Sequence, residues 1–313
     1  MIKQSSFVKR LILVVFATLL STQEELNAQQ DPQYTHYMYN TMSVNAGYAG
    51  QRDVLSVLAL YRTQWVGIDG APKTLTFGIH SPLKNERLGL GLNVVSDQLG
   101  PAQETSIDAN FSYTIPVNAS GDLELSFGLK GGLHILDTDW SKGIFQNPTD
   151  VLFNENVNLV SPTVGGALYL HSDKWYLGAS VPNIFTTEHY DDYQESIATE
   201  RIHMFLIGGY VFDVSETTKL KPAFLVKGVS GAPVIADLSL NALFNEKFTL
   251  GLAYRWDDSF SGLVGFQVTD SILIGYSYDL TSTELNNYNS GTHEIMLRFE
   301  LQKVGKLISP RFF

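Results

Sequence analysis

The sequence contains no cysteine among its 313 residues. That absence rules out disulfide bonds, thiolate metal sites and cysteine nucleophiles, and it predicts no lipoprotein anchor. Charged residues are also scarce, at 17% of the chain compared with roughly 25% in ordinary globular proteins. The net charge of −11 argues against nucleic-acid binding.

Long hydrophobic runs are equally rare. The clearest one, from Leu11 to Leu20, follows a basic start and precedes a short polar stretch. This arrangement predicts a secretory signal peptide at residues 1–28, cleaved after Ala28. No later run approaches the roughly 20 apolar residues of a transmembrane helix. An exported chain of this kind is expected to enter a membrane only as a β-barrel.

What the sequence does contain is a recurring alternation of apolar and polar residues, which predicts β-strands. About fourteen strands follow one another with almost no helical pattern between them. The predicted strands are 53–62, 73–82, 86–96, 103–115, 121–134, 160–171, 174–181, 202–213, 217–227, 233–244, 246–256, 259–268, 271–280 and 292–301.

The polar faces of these strands distinguish a barrel from a soluble sandwich. Along 105–115, Ile107, Phe111 and Tyr113 share one face, while Asp108 and Asn110 lie on the other. The polar faces carry Ser, Thr, Asn and Gly with isolated charges, not the many lysines and glutamates of a water-exposed sheet. We therefore predict an all-β fold, a transmembrane antiparallel barrel with a polar lumen and an apolar exterior facing lipid.

The connections favour the same fold. Short polar turns alternate with connections that are longer on average, among them 96–103, 135–159 and 182–201. Bacterial outer-membrane barrels place short turns in the periplasm and longer loops outside the cell. An even number of strands returns both ends of the barrel to the periplasmic side.

The stretch before the first strand carries three short motifs. They are Asp31-Pro32-Gln33, Tyr37-Met38-Tyr39-Asn40 and Asn45-Ala46-Gly47-Tyr48-Ala49-Gly50. Together with YRTQWVGIDGAPKT after the first strand, HEIMLRFEL in the last strand and the terminal SPRFF, they resemble the PorP/SprF family of type IX secretion system outer-membrane proteins. One departure is Thr41-Met42, where the family more often has a nearby proline.

The resemblance implies a barrel of the bacterial outer membrane that works in protein secretion. It implies export or cell-surface anchoring of a partner protein with a C-terminal sorting domain. One branch of the family belongs to the core secretion and gliding motility apparatus and contacts periplasmic lipoproteins. The alternative, from a different class of function, is a channel or porin for small or hydrophobic solutes.

The segments outside the strands supply the candidate contact residues. We predict that 29–52 forms a lumen plug or a periplasmic segment, that 53–301 forms the barrel, and that 302–313 is a periplasmic tail. The plug or partner contacts are Tyr34, Tyr37, Tyr39, Asn40, Asn45 and Tyr48, and those of the tail are Arg311, Phe312 and Phe313. The long loops offer exposed-type aromatics as extracellular partner contacts: Trp140, Phe145, Phe153, Phe185, Tyr190 and Tyr193.

The charges of the polar faces are expected to pair with one another or with the N-terminal segment, because an unpaired buried charge is costly. They are Arg62, Asp108, Glu124, Lys130, Lys221, Lys227, Asp237, Arg255 and Arg298. No Gly-x-Ser-x-Gly elbow, histidine pair or complete calcium loop is present. We therefore expect neither an enzyme nor a cofactor or metal site.

Overall fold

The computed structural model describes residues 32–142, 156–185, 202–229 and 232–301. Most of them lie in one antiparallel sheet. Its strands are β1 (Leu55–Thr63), β2 (Lys73–Pro82), β3 (Leu88–Leu99), β4 (Ala102–Pro116), β5 (Glu124–Thr138), β6 (Val157–His171), β7 (Trp175–Val181), β8 (His203–Tyr210), β9 (Phe212–Asp213), β10 (Thr218–Val229), β11 (Ile235–Phe244), β12 (Phe248–Arg255), β13 (Ser259–Thr269), β14 (Ile272–Thr281) and β15 (Thr292–Leu301).

The sheet closes on itself. Consecutive strands pair with each other except β8 and β9, and β15 pairs with β1, so the described strands leave no free edge. Strands β8 and β9 both pair with β10 and together occupy one position, interrupted at Val211. The predicted single strand 202–213 is therefore two pieces. The fifteen strand segments form a closed barrel of fourteen strands, which confirms the predicted fold class.

The burial pattern of the barrel is inverted relative to a soluble protein. In β2, Thr74 and Thr76 are fully buried, while Leu75 is 54% exposed and Phe77 is 42% exposed. The same alternation recurs around the wall, with polar side chains inward and large apolar ones outward. This matches the predicted polar lumen and lipid-facing exterior.

The two ends of the barrel differ in their connections. We call the end with the 64–72, 139–156, 182–202 and 282–291 connections the loop end, and the other the turn end. Residues 96–103 were expected to form a longer loop, but β3 and β4 extend into them and leave only Gly100 and Pro101 as the turn. Gly100 permits this tight hairpin because its φ is +56°.

The largest cluster of buried apolar side chains lies inside the barrel. It joins residues of the N-terminal stretch, such as Tyr37, Met42 and Tyr48, with Tyr169 and Ile207 on the wall. Within the described parts of the chain, no helix is both long and apolar enough to cross a membrane. The predicted signal peptide and the predicted tail lie outside the described residues.

Candidate functional site in the barrel lumen

The first part of the described chain, residues 32–52, is here called the N-terminal segment. It contains a turn at 35–39, the short helix α1 (Thr41–Val44) and a 3₁₀ helix (Ala46–Tyr48). Asn45 caps the 3₁₀ helix, because its side-chain oxygen accepts from the Gly47 amide at 3.0 Å. The segment is compact but has no core of its own, so its position depends on the wall.

A cluster of charges holds the start of the segment. The Thr35 and His36 amides donate to the Glu294 carboxylate at 3.0 and 2.8 Å. The His36 ring nitrogen lies 2.7 Å from the same carboxylate. Arg62 contacts Glu294 at 3.0 Å and Asp279 at 2.8 Å. Because all these groups are buried, the segment and three strands share one charge network.

Tyrosines on both sides of Thr35 and His36 also anchor the segment. The Tyr34 hydroxyl lies 2.7 Å from Thr76 Oγ1 on β2, and the Tyr37 hydroxyl lies 2.8 Å from Ser239 on β11. Burial raises the pKa of Tyr37 and of Tyr39 above the usual tyrosine value, so both remain neutral hydroxyl groups. These contacts reach well-separated positions of the wall.

The Tyr39 ring lies between cations of the lumen. The Lys221 ammonium is 5.5 Å from the ring centroid, and the Arg298 guanidinium is 5.4 Å from it. Both distances are within the range of a cation–π interaction. Lys221 is almost completely buried, so this aromatic ring takes over part of the environment that water would otherwise provide.

The end of the segment is fixed near the turn end. The side-chain amide of Asn45 donates to the Leu168 carbonyl on β6 at 3.1 Å. Gln51 donates to the hydroxyls of Thr114 and Ser126 at 2.9 Å each. These bonds join the segment to strands β4, β5 and β6.

An ion pair completes the attachment. Arg52 pairs with the buried carboxylate of Glu300 on β15. Burial alone would lower the pKa of Arg52, but the neighbouring charge of Glu300 and the Tyr48 hydroxyl raise it above the usual arginine value. The guanidinium therefore stays charged at the end of the segment.

Two wall glycines allow the close approach. A Cβ at Gly128 of β5 would stand 2.1 Å from the Gly47 nitrogen, and a Cβ at Gly89 of β3 would stand 2.1 Å from the Ala49 carbonyl oxygen. Backbone thus lies directly on backbone at these points. Any larger side chain would have to push the segment away from the wall.

The contacts also give the direction of the segment. Thr35 reaches Glu294 and Asp279, which lie near the loop ends of β15 and β14. Arg52 reaches Glu300, near the turn end of β15. Residues 32–52 therefore run through the lumen from the loop end towards the turn end.

All six predicted contact residues of the N-terminal segment lie in this region. Tyr34, Tyr37, Asn40, Asn45 and Tyr48 are buried, and Tyr39 is half-buried. Sequence reasoning did not single out Thr35, His36 or Arg52, nor the carboxylates Glu294, Asp279 and Glu300. The three carboxylates could have been found from the alternation of apolar and polar residues in the last two strands, because this alternation places them on the inward face.

The predicted loop aromatics are only partly described. Trp140 is half-buried in a short 3₁₀ helix, and Phe185 is 43% exposed just after β7. Phe145, Phe153, Tyr190 and Tyr193 lie outside the described residues, as do Arg311, Phe312 and Phe313 of the predicted tail. The role of all these residues as partner contacts stays a prediction.

The predicted lumen charges mostly meet opposite charges. Lys130 lies 2.8 Å from Asp108, and Arg255 lies 2.7 Å from Asp237. Arg298 lies 3.5 Å from Glu300. The prediction that these charges pair is confirmed for these residues.

A cavity of about 100 Å³ remains on the loop-end side of the segment. We call it the vestibule. Pro32, Ser43 and Val44 of the N-terminal segment line it, together with inward residues of β3, β4, β5 and β6. Among the described residues, no group of three or more His, Asp or Glu side chains is arranged to hold a metal ion.

Comparison with one solved channel supports the barrel fold. The CymD monoaromatic hydrocarbon channel matches with a TM-score of 0.51 and 12% identity, over 85% of this chain and 93% of that one. Omp33 of Acinetobacter baumannii matches with a TM-score of 0.46 and 10% identity, over 80% of this chain and 100% of that one. A Pseudomonas aeruginosa FadL homologue gives 0.44 and 10%, over 80% and 89%.

Sequence comparison supplies the family. No protein of curated function matches the sequence. The family described as "Type IX secretion system membrane protein PorP/SprF" matches over residues 26–299, which is most of the chain. With the closed barrel, this match locates the protein in the bacterial outer membrane. The chain belongs to the PorP/SprF family of type IX secretion system membrane proteins.

Proposed function

We propose that this barrel supports the export or cell-surface anchoring of a secreted partner protein that carries a C-terminal sorting domain. The proposed role is not enzymatic. The observation that carries it is the N-terminal segment, whose hydrogen bonds and ion pairs reach strands all around the lumen. We propose that the segment is a plug that blocks the passage of solutes. The barrel then functions by presenting a binding surface to the partner protein.

The bonding of the segment supports the plug. Its contacts reach β2, β5, β6, β11, β14 and β15, among others. A segment attached on all sides cannot swing aside without breaking several buried polar contacts, each of which costs about 1–3 kcal/mol when a partner is left unsatisfied. Transient opening of a solute path is therefore unfavourable.

We place the partner contacts at the loop end. The 139–156 and 182–202 connections are far longer than the turns at the opposite end, and long loops usually bind or gate something. The predicted loop aromatics lie in or beside these connections. Periplasmic lipoproteins of the secretion system would meet the turn end and the tail 302–313.

Conductance in planar bilayers tests the plug. We expect purified protein to show little steady conductance, and deletion of residues 29–50 to open a stable pore. The deleted protein should first be shown to fold by its heat-modifiable migration on gels. A large, stable conductance of the intact protein would instead support the channel alternative.

A cell-surface assay tests the partner. Removing the protein should deplete one large secreted protein from the cell exterior while leaving nutrient uptake unchanged. Replacing 139–156 and 182–202 by short Gly-Ser connections should have the same effect, because the strands on either side are untouched. Normal display after this replacement would contradict the role of the loops.

A further inference from the structure

The N-terminal segment enters the lumen at the loop end of the barrel. Pro32, its first described residue, lines the vestibule together with Asn183 and His203. Asn183 follows the loop end of β7, and His203 begins β8 at the same end. Glu104, another lining residue, lies close to the loop end of β4. The described chain therefore starts near the loop-end rim of the barrel.

The residues that follow hold this entry point in place. The Arg255 guanidinium donates to the Tyr34 carbonyl at 3.5 Å, and Arg255 is the last residue of β12 at the loop end. The Thr35 amide donates to Glu294, near the loop end of β15. Two different strands thus fix the start of the segment on the same side of the lumen.

The reach of the chain decides on which side its mature end lies. Thr35 and Arg52 bind carboxylates that lie six residues apart on β15, which is about 20 Å along the strand. With the predicted cleavage after Ala28, residues 29–31 are all that precedes Pro32. A fully extended stretch of that length spans about 11 Å at most. The mature N terminus therefore cannot return to the turn end.

The loop end of an outer-membrane barrel faces the cell exterior. A segment that precedes the first strand is ordinarily expected in the periplasm, because β1 begins with Leu55 at the turn end. Here the segment passes through the lumen before β1 begins. Its start therefore points towards the outside of the cell, the side from which the secreted partner of the proposed function approaches.

We propose that residues 29–33, at the mature N terminus, lie at the extracellular mouth of the barrel and form part of the surface that the secreted partner contacts. The proposal rests on the proposed function for the identity of the partner. The location of the N terminus is independent of it. Two experiments separate these parts.

A partner bound at this position acts on the plug itself. The amides of Thr35 and His36, which donate to the buried Glu294 carboxylate, follow residues 29–33 within three positions. Binding at the outer mouth is therefore coupled through a short stretch of chain to the charge network that holds the segment.

The first experiment measures the side on which the N terminus lies. Because the chain has no cysteine, Gln30→Cys provides a single thiol near the mature N terminus. In intact cells, we expect a membrane-impermeant maleimide to label it at least tenfold faster than Ser120→Cys, an exposed position in the turn between β4 and β5. Gln33→Cys, at a half-buried described residue, should also react in intact cells, but more slowly than Gln30→Cys.

The matched control is Asn286→Cys, an exposed position in the 282–291 connection at the loop end, which should be labelled in intact cells. Permeabilising the outer membrane should raise the labelling of Ser120→Cys to a similar level. Labelling of Gln30→Cys only after permeabilisation would overturn the proposal. So would labelling of this variant only after the barrel has been denatured.

The second experiment tests the partner. A benzophenone maleimide attached to Gln30→Cys on intact cells should cross-link, on illumination, to the same large protein that is lost from the surface when the barrel is removed. The same reagent at Ser120→Cys should give no such product. If Gln30→Cys is labelled from outside without this product while the loop replacement abolishes display, the partner contact proposed here fails and the proposed function stands. If the loop replacement also retains the partner, the proposed function fails as well.

Discussion

The inner and outer faces of the barrel place opposite requirements on the polarity of their side chains, and the ten residues of β15 show both. Ile295 and Leu297 are 53% and 46% exposed on the outer face, whereas Glu294 and Arg298 are 0% and 6% exposed on the inner face. In lipid the apolar side chain needs no burial within protein. The polar side chain needs a protein partner, because the inward-facing Glu294 and Arg298 are almost completely shielded from water.

The comparison shows where the specificity of this fold resides. The outer face requires only that residues be apolar, so many substitutions should satisfy it. The inner face requires particular partners, such as Glu294 with Arg62 and two backbone amides of the N-terminal segment. Substitutions on the two faces should therefore differ in what they tolerate.

The largest effect is expected on the inner face. Glu294→Ala removes the carboxylate that the Thr35 and His36 amides and Arg62 share, and it leaves Arg62 with less compensation. Breaking a buried ion pair in this way costs about 3–5 kcal/mol. Urea unfolding of the protein in lipid vesicles should show a loss of that size. Glu284→Ala, on an exposed loop, is the control and should change the unfolding free energy by less than about 0.5 kcal/mol.

On the outer face, a substitution should lower the unfolding free energy when it adds a charge, but not when it changes only the shape of an apolar side chain. Leu252 is 71% exposed near the middle of β12, so Leu252→Arg places a charge in hydrocarbon. The expected loss is about 2–4 kcal/mol if the position lies at the bilayer midplane. Leu252→Phe should be close to neutral in the same vesicle assay. Equal losses for both variants would mean that Leu252 packs against protein.

The smallest effect is expected from a glycine substitution, and two glycines of the same strand, β5, allow a direct comparison. Gly128→Ala introduces a methyl group against the backbone of Gly47, and overpacking of this kind costs about 1–3 kcal/mol. Gly131→Ala, three residues along β5, meets nothing within 4 Å and should be neutral. A protease-accessibility assay should also find the N-terminal segment loosened only in Gly128→Ala. Identical behaviour of the two variants would contradict the close approach.

The strands could be predicted because a period of two needs no knowledge of the fold. The predicted 73–82 and 292–301 agree with β2 and β15 at both ends. The prediction was wrong where polar residues continue a strand: β3 and β5 extend further than expected because Asp97 and Thr138 still occupy inward positions. A polar residue in a lumen-facing register resembles a loop residue when only the sequence is read.

The N-terminal segment could be recognised, but its partners could not. Its density of tyrosine and asparagine marked it as different from the strands, and all six chosen residues lie in the lumen or at its wall. The pairing of His36 with Glu294 depends on how the barrel closes and on the path of the segment, and neither follows from alternation. Sequence patterns predict on which face of a strand a residue lies. How deeply that residue lies within the lumen can be read only from the closed barrel.

The attachment of the N-terminal segment also has a consequence for the order of folding. Thr35 finds its acceptor in Glu294, 259 residues later in the chain. Contacts of such high contact order form late, because the loop they close must first be ordered. The N-terminal segment, although it precedes every strand in the sequence, is thus among the last parts to reach its final bonds. A truncated chain that lacks β15 loses both Glu294 and Glu300. The N-terminal segment can therefore form these bonds to the wall only after the whole chain has been synthesised.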